Sequence, residues 1–501
     1  MAAIPPEQFR VRSPSEVRGP DRRPNAGLLK SLAILTIATL VLTAPSFGAD
    51  AKVRLVPAHT PSALATFSTH IQHIVVVMLE NHAFDNYFGT YCQLTGPYCP
   101  ASVAGIPNNT CVPEDPHVAP TPCIQPWAFT DKNWSVHSAM LHGYNSTIGS
   151  WDNGSMDGFY HAEHAGLDPF GYYDGSTIPT FWDLAEEYGL GDDFFSTAQT
   201  YSLANHWDLV AGRAPAAIMV QGLEGKRAVG SGNKTIYLQE SQNTTSIEDL
   251  LSVHPAVSWK YYDYALTSWA TMSNLSEPGG PASHDAFDYW NPQAAKQESY
   301  SAPLLKHFVG QNMFFADAMN GSLPDLSWLI PFFPESDHPD ANTTAAESWI
   351  ASVVDSLETS PDWNSTALFV TFDEYGGFYD HVPPPVVGGV QLSFRVPLLV
   401  ISPYVRAGTV VSHEGDFGSL LRLMEWRYGM KCLASIDCNA TLPLGYFDFG
   451  MTPRAPMLFN TNPLNTNYPI PVQKRSNWAA LDFTVPESYL TYPADPPPFV
   501  D

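Results

Sequence analysis

Apolar positions along the chain gather into short unbroken runs. HIVVVML from His73 to Leu79, ALFVTF at 367–372 and VPLLVI at 396–401 are rich in β-branched side chains and bounded by polar or turn residues. Runs of that length without alternation predict strands buried on both faces. AAESWIASVVDSL at 345–357 and SLLRLMEWRY at 419–428 instead repeat apolar residues at helical spacing. TYSLANHWDLVAG at 200–212 reads as a loop feeding a helix, with Ser202 near its start and Gly212 near its end. Strands separated by helices predict an α/β sheet with long functional loops. Residues 92–131, rich in Pro, Cys and polar side chains, read as an excursion from the core. Beyond Gly450 the Pro- and Asn-rich chain predicts little regular structure.

Composition narrows the partners. The formal charge is -26, yet only 15% of the 501 residues are charged, because Lys and Arg are scarce. Phosphate backbones need clustered basic residues, so nucleic acid is excluded as a partner, and electrostatic docking on anionic lipid is disfavoured. Arg22, Arg23 and Lys30 precede an apolar run at 32–42, and Ser46-Phe47-Gly48 offers small residues for cleavage. Residues 1–49 therefore read as a signal peptide or an uncleaved N-terminal anchor, and the protein as secreted or extracellular. A catalytic domain over 50–450 and an irregular extension packed on it over 451–501 complete the expected organisation. Six cysteines fall into three close pairs, Cys92 and Cys99, Cys111 and Cys123, Cys432 and Cys438, which predicts local disulfides. Eleven Asn-x-Ser/Thr sequons, among them Asn108, Asn145, Asn243 and Asn439, predict a glycoprotein in a host that glycosylates.

Two of the predicted strands end in acidic or amide residues. The first is followed by Glu80-Asn81 and the second by Asp373-Glu374. Ligands of open α/β sheets gather at the carboxyl ends of strands. Oxygens delivered there suit a divalent cation, which would relieve repulsion among the carboxylates. Either pair alone reads more simply as a turn or helix cap; together they favour the metal. A hydroxyl at Ser202 would face the free N–H groups of a helix start, which favour a phosphoryl oxyanion, although locally it reads as a helix cap. His338, in Ser336-Asp337-His338-Pro339, and His381, in Tyr379-Asp380-His381-Val382, are candidates for binding phosphate or protonating a leaving oxygen. Taken singly, each is more often a structural histidine. No G-x-S-x-G elbow, Walker A loop or H-E-x-x-H is present.

At these residues the sequence resembles the phosphoesterase family that contains bacterial phospholipases C of the phosphatidylcholine-hydrolysing type and respiratory-burst-inhibiting acid phosphatases. The landmarks are IVVVMLENHAFDNYFG, GSMDGF, TYSLANHWDLVAG, FDYWNP, GSLPDLSWLIP, SDHP, DWNSTALFVTFDEYGGFYDHVPPP and RVPLLVISPYVRAG. The resemblance implies an alkaline-phosphatase-like three-layer α/β/α sandwich with long loop insertions. It also implies a divalent metal of unassigned identity on Glu80, Asn81, Asp373 and Glu374, with Ser202 both a ligand of that metal and the nucleophile, aligned through Asn205. Pocket histidines carry over onto His338 and His381. The chain departs from the pattern at Trp134, where the family has a histidine that His137 or His142 could replace. It departs again at Ala204, where the family has proline, and at 391–394, which lack its glycine. The expected function is a secreted metal-dependent phosphoesterase of acid-phosphatase type, working through a phosphoserine, with no stable protein partner implied. The alternatives are a phospholipase C acting on phospholipid diesters and a non-catalytic surface glycoprotein on the same fold.

Overall fold

The computed structural model describes residues 61–94, 103–118, 122–129, 140–215, 243–263, 306–331, 335–339 and 343–458, with single positions at 292, 304 and 341. The leader at 1–49, the FDYWNP segment up to Asn291 and the extension beyond 458 lie outside the described residues, as do Cys99 and His137. Among the described residues no helix is long and apolar enough to cross a membrane.

The apolar runs do become the centre of one sheet. Its eight strands are β1 (His73–Leu79), β2 (Gly189–Gly191), β3 (Trp259–Tyr262), β4 (Phe308–Val309), β5 (Leu326–Leu329), β6 (Thr366–Phe372), β7 (Leu398–Ile401) and β8 (Thr409–Val411). They lie in the order β8-β2-β7-β6-β1-β5-β3-β4, and β7 alone runs against its neighbours. Every residue of β6 is buried, and in β1 only His73 is partly exposed. This leaves both faces of the central strands covered, as unbroken Val/Ile/Leu runs require.

The covering helices form two packed groups. One comprises α1 (Pro61–His70), α4 (Ser202–Ala211) and α7 (Phe417–Arg427); the other comprises α3 (Pro179–Glu187), α5 (Asn312–Asn320) and α6 (Thr343–Glu358). A short helix, α2 (Phe84–Phe88), follows β1 directly. Sheet and helix groups give the α/β layering expected from the sequence, and the predicted helices at 345–357 and 419–428 appear as α6 and α7. In the 92–131 excursion the described part holds the end of a one-turn helix (Tyr91–Leu94) and two-residue strands, with Val112–Pro113 paired to Cys123–Ile124 beside the Cys111–Cys123 disulfide. Cys432 and Cys438 form a second disulfide. Residues 451–458 carry neither helix nor strand.

Candidate active site

Register places the two acidic tips side by side. β1 and β6 are parallel neighbours with Leu79 opposite Phe372, so the next residues, Glu80 and Asp373, leave the same edge together. Asp373 N donates to Leu79 O at 2.9 Å, and Asn81 N donates to Asp373 Oδ1 at 2.7 Å. The chain turns sharply at both tips. Asn81 has φ 66°, a left-handed conformation that asparagine tolerates. Gly376, at φ 64°, passes so close to Asn81 that only glycine fits there.

Glu80, Asn81, Asp373 and Glu374 are all fully buried. Burial pushes the Glu80 carboxyl well above its ordinary range, and the neighbouring Asp373 and Glu374 add to the push. Glu374 is raised in the same way, first by burial and then by Asp373. Glu80 Oε2, Asp373 Oδ2 and Glu374 Oε1 have no hydrogen-bond partner. Buried polar atoms are normally satisfied, and each orphan needs an explanation. Three orphan carboxylate oxygens at one strand edge have the chemistry of a divalent cation site. The donor set therefore fits the metal that the sequence implies.

Ser202 is the first residue of α4, with Tyr201 at the cap position and Gly212 closing the helix at φ 63°. Its hydroxyl caps nothing. Ser202 Oγ donates to Asn81 Oδ1 at 3.3 Å, which brings the helix start to the acidic cluster. Asn205 fixes the loop ahead of it: its Oδ1 accepts from Thr197 N at 3.1 Å and Ala198 N at 2.8 Å, while its Nδ2 donates to Ala198 O at 3.3 Å and Thr200 O at 3.0 Å.

The histidines separate into two groups. His142 reaches the site, its Nε2 facing Asn81 Nδ2 at 3.4 Å and its Nδ1 donating to Met140 O at 2.6 Å. It is one of the two histidines that the sequence left open; the other, His137, lies outside the described residues. His338 lies beside it, with ring centroids 6.5 Å apart. The loop carrying His338 is bolted to the β1 tip: Glu80 N donates to Ser336 O at 2.9 Å, and His82 Nε2 donates to Asp337 O at 2.8 Å. Burial, reinforced by His142 and His82, pushes His338 down to about 3, so its imidazole is neutral at ordinary pH.

His381 keeps other company. Its Nδ1 and its backbone N both donate to Asp85 Oδ2, at 2.6 and 2.8 Å. Burial alone would lower its pKa, but Asp85 and Asp380 carry it above the ordinary value. The wholly buried Arg395 bonds Asp380 Oδ1 at 2.9 Å and Asp85 Oδ1 at 2.9 Å. None of the hydrogen bonds of His381 reaches the acidic cluster.

One residue of the cluster escaped the sequence reading. His206 Nε2 lies 2.8 Å from Glu80 Oε1, and Glu80, His206 and Asp373 offer ligand atoms within 4.8 Å of one another. The signal was its position four residues after Ser202, which puts both side chains on one helix face.

The phosphoesterase family pattern matches residues 71–431, a span that includes both strand tips and the helix start. The chain belongs to the phosphoesterase family. Its members are hydrolases acting on phosphoric ester bonds. Phospholipase C A of Mycobacterium tuberculosis is 29% identical over 410 residues, covering 72% of this chain and 74% of that one. Non-hemolytic phospholipase C of Burkholderia pseudomallei is 26% identical over 72% of this chain, which spans about half (55%) of that relative's length. Non-specific phospholipase C1 of Arabidopsis thaliana is 26% identical, over 69% of this chain and 63% of its own. A solved Vibrio parahaemolyticus protein of the alkaline phosphatase superfamily overlaps with a TM-score of 0.29 at 13% identity, over 62% of this chain and 68% of that one. A likeness that loose bears on neither mechanism nor substrate.

Proposed function

We propose that the protein is a metal-dependent phosphoesterase in which Ser202 is the nucleophile and a phosphoserine the intermediate. The observation that carries this reading is the convergence of Ser202 Oγ, at the start of α4, on the strand tips that hold the orphan carboxylate oxygens. Glu80, Asp373 and Glu374 would hold a divalent cation with Asn81 Oδ1 beside them. Such a cation supplies Lewis-acid polarisation of a phosphoryl oxygen and favours the ionised hydroxyl. The chain's own residues do the rest. Asn205 and its loop hold the serine in place, and the first N–H groups of α4 face the phosphoryl oxygens. Ser202 Oγ attacks phosphorus, the bond to the leaving oxygen breaks, and that oxygen takes up a proton. Water then cleaves the Oγ–P bond and restores the hydroxyl. His338, neutral, serves as a hydrogen-bond donor to phosphate rather than as the acid for the leaving oxygen. Positioning and electrostatics dominate chemistry of this kind.

Scarce basic residues tilt the sequence toward phosphomonoesters. The relatives named above are phospholipases C, and this favours a phospholipid diester as second reading. A simple aryl phosphate and a phosphocholine diester, assayed side by side, separate the two. The decisive experiment for the centre is Ser202→Ala: metal content should persist while turnover falls by on the order of 10³-fold or more. Full residual activity would remove Ser202 as nucleophile.

A further inference from the structure

Glu80 has two carboxylate oxygens, and the structure treats them differently. Oε1 faces His206 Nε2 at 2.8 Å, whereas Oε2 is buried with no partner. Both side chains are buried, His206 at 1% exposure and Glu80 at 0%. No Lys or Arg among the described residues pairs with Glu80; His206 is the ring nitrogen it meets. His206 Nδ1 is itself without a partner. Of the two neutral tautomers, the one with the proton on Nε2 makes a hydrogen bond to Glu80, while the other sets two lone pairs against each other.

We infer that His206 is a positioning residue of the cation centre, which locks Glu80 as a one-oxygen ligand by occupying Oε1 and turning Oε2 toward the ion. The inference rests on the metal-dependent reading above and deepens it. Ser202 and His206 lie one turn apart on the same face of α4. They meet consecutive residues of the β1 tip, Ser202 at Asn81 and His206 at Glu80. One helix face thereby fixes the nucleophile and the ligand beside it in a single rigid unit. The lock has a consequence for selectivity. Calcium takes six to eight oxygens and readily accepts bidentate carboxylates, whereas smaller ions with fewer ligands do not need the second oxygen. A Glu80 held to one oxygen therefore favours a compact transition ion such as Mn²⁺ over Ca²⁺.

The test uses the full chain stripped of metal by chelator and titrated calorimetrically with Mn²⁺ and with Ca²⁺. His206→Leu should weaken Mn²⁺ binding by about 10- to 100-fold, as loss of an outer partner of a ligand does, and shift the Mn²⁺/Ca²⁺ preference toward Ca²⁺. His206→Gln, whose amide can still donate to Oε1, should recover most of the Mn²⁺ affinity. A residue needed only for packing would lower the melting temperature without moving the ion preference. Should the leucine variant fail to fold, His206→Ala against His206→Gln makes the same comparison. Wild-type Mn²⁺ affinity and preference in His206→Leu or His206→Ala overturn the inference and leave the metal reading standing. A wild-type chain that binds no divalent ion overturns the metal reading itself.

Discussion

Gly376 and Asn81 are in such close backbone contact that a Cβ on Gly376 would stand 2.0 Å from the Asn81 carbonyl oxygen. The two residues close the cluster from opposite strand tips. Gly376→Ala must push Asn81 away and also strain a residue at φ 64°. The strain alone is worth about 1–3 kcal/mol. Turnover should fall by on the order of 100-fold, since small displacements of a positioned group are that damaging. Steady-state rates on an aryl phosphate check it, and a variant with near-wild-type kcat would show that Asn81 tolerates displacement.

Removing the counter-charge tests the cluster from another side. Chelation should abolish hydrolysis and lower thermal stability near pH 7, because Glu80 and Glu374 are then left ionisable in a site whose burial opposes their charge. Mn²⁺ should restore both rate and melting temperature. Recovery of neither by any divalent ion would count against the cation site.

Arg395 carries a heavy structural load. It bonds Asp380 and Asp85 together with the carbonyls of Ala104 and Asp192. Arg395→Met removes the guanidinium that two buried carboxylates share, which should cost about 3–5 kcal/mol. Lysine cannot reproduce the forked geometry and should rescue little. Urea denaturation measures the loss; a change within 1 kcal/mol, roughly the scale of an exposed pair, would contradict the burial.

Stability should also depend on pH, in the direction opposite to ordinary acid denaturation. Burial lifts Asp416 to about 7 and Glu358 to about 8. A carboxyl raised in the folded state favours folding in its protonated form. Its contribution is complete below the unfolded value, about 4, and is lost as pH climbs through 7 and 8. The melting temperature of the metal-free chain should fall by on the order of 5 °C between pH 5 and pH 8.5, and less so in Asp416→Asn. A melting temperature that rises across that interval would refute the assignment.

Much of this was legible in the sequence, for a physical reason. Glu80-Asn81 and Asp373-Glu374 follow unbroken apolar strands, and parallel pairing delivers strand ends to one edge. Ser202 and Gly212 marked the ends of a helix that forms where expected. The histidines were less legible because their partners are far off in sequence. His381 looked like a pocket residue from its neighbours, yet its fate is set by Asp85, 296 positions away. His206 is marked in the sequence only by its place four residues after Ser202, and Glu80, the partner that gives it a role, lies 126 positions away. His142 meets Asn81, 61 positions earlier in the chain, a contact that no local spacing announces.

The four hydrogen bonds made by the Asn205 amide have a thermal corollary. They order residues 197–200 in the resting molecule, so this loop does not have to freeze around the serine when substrate arrives. Asn205→Ala, which frees that loop, should therefore bring the decline in rate on warming to a lower temperature than the melting of the domain.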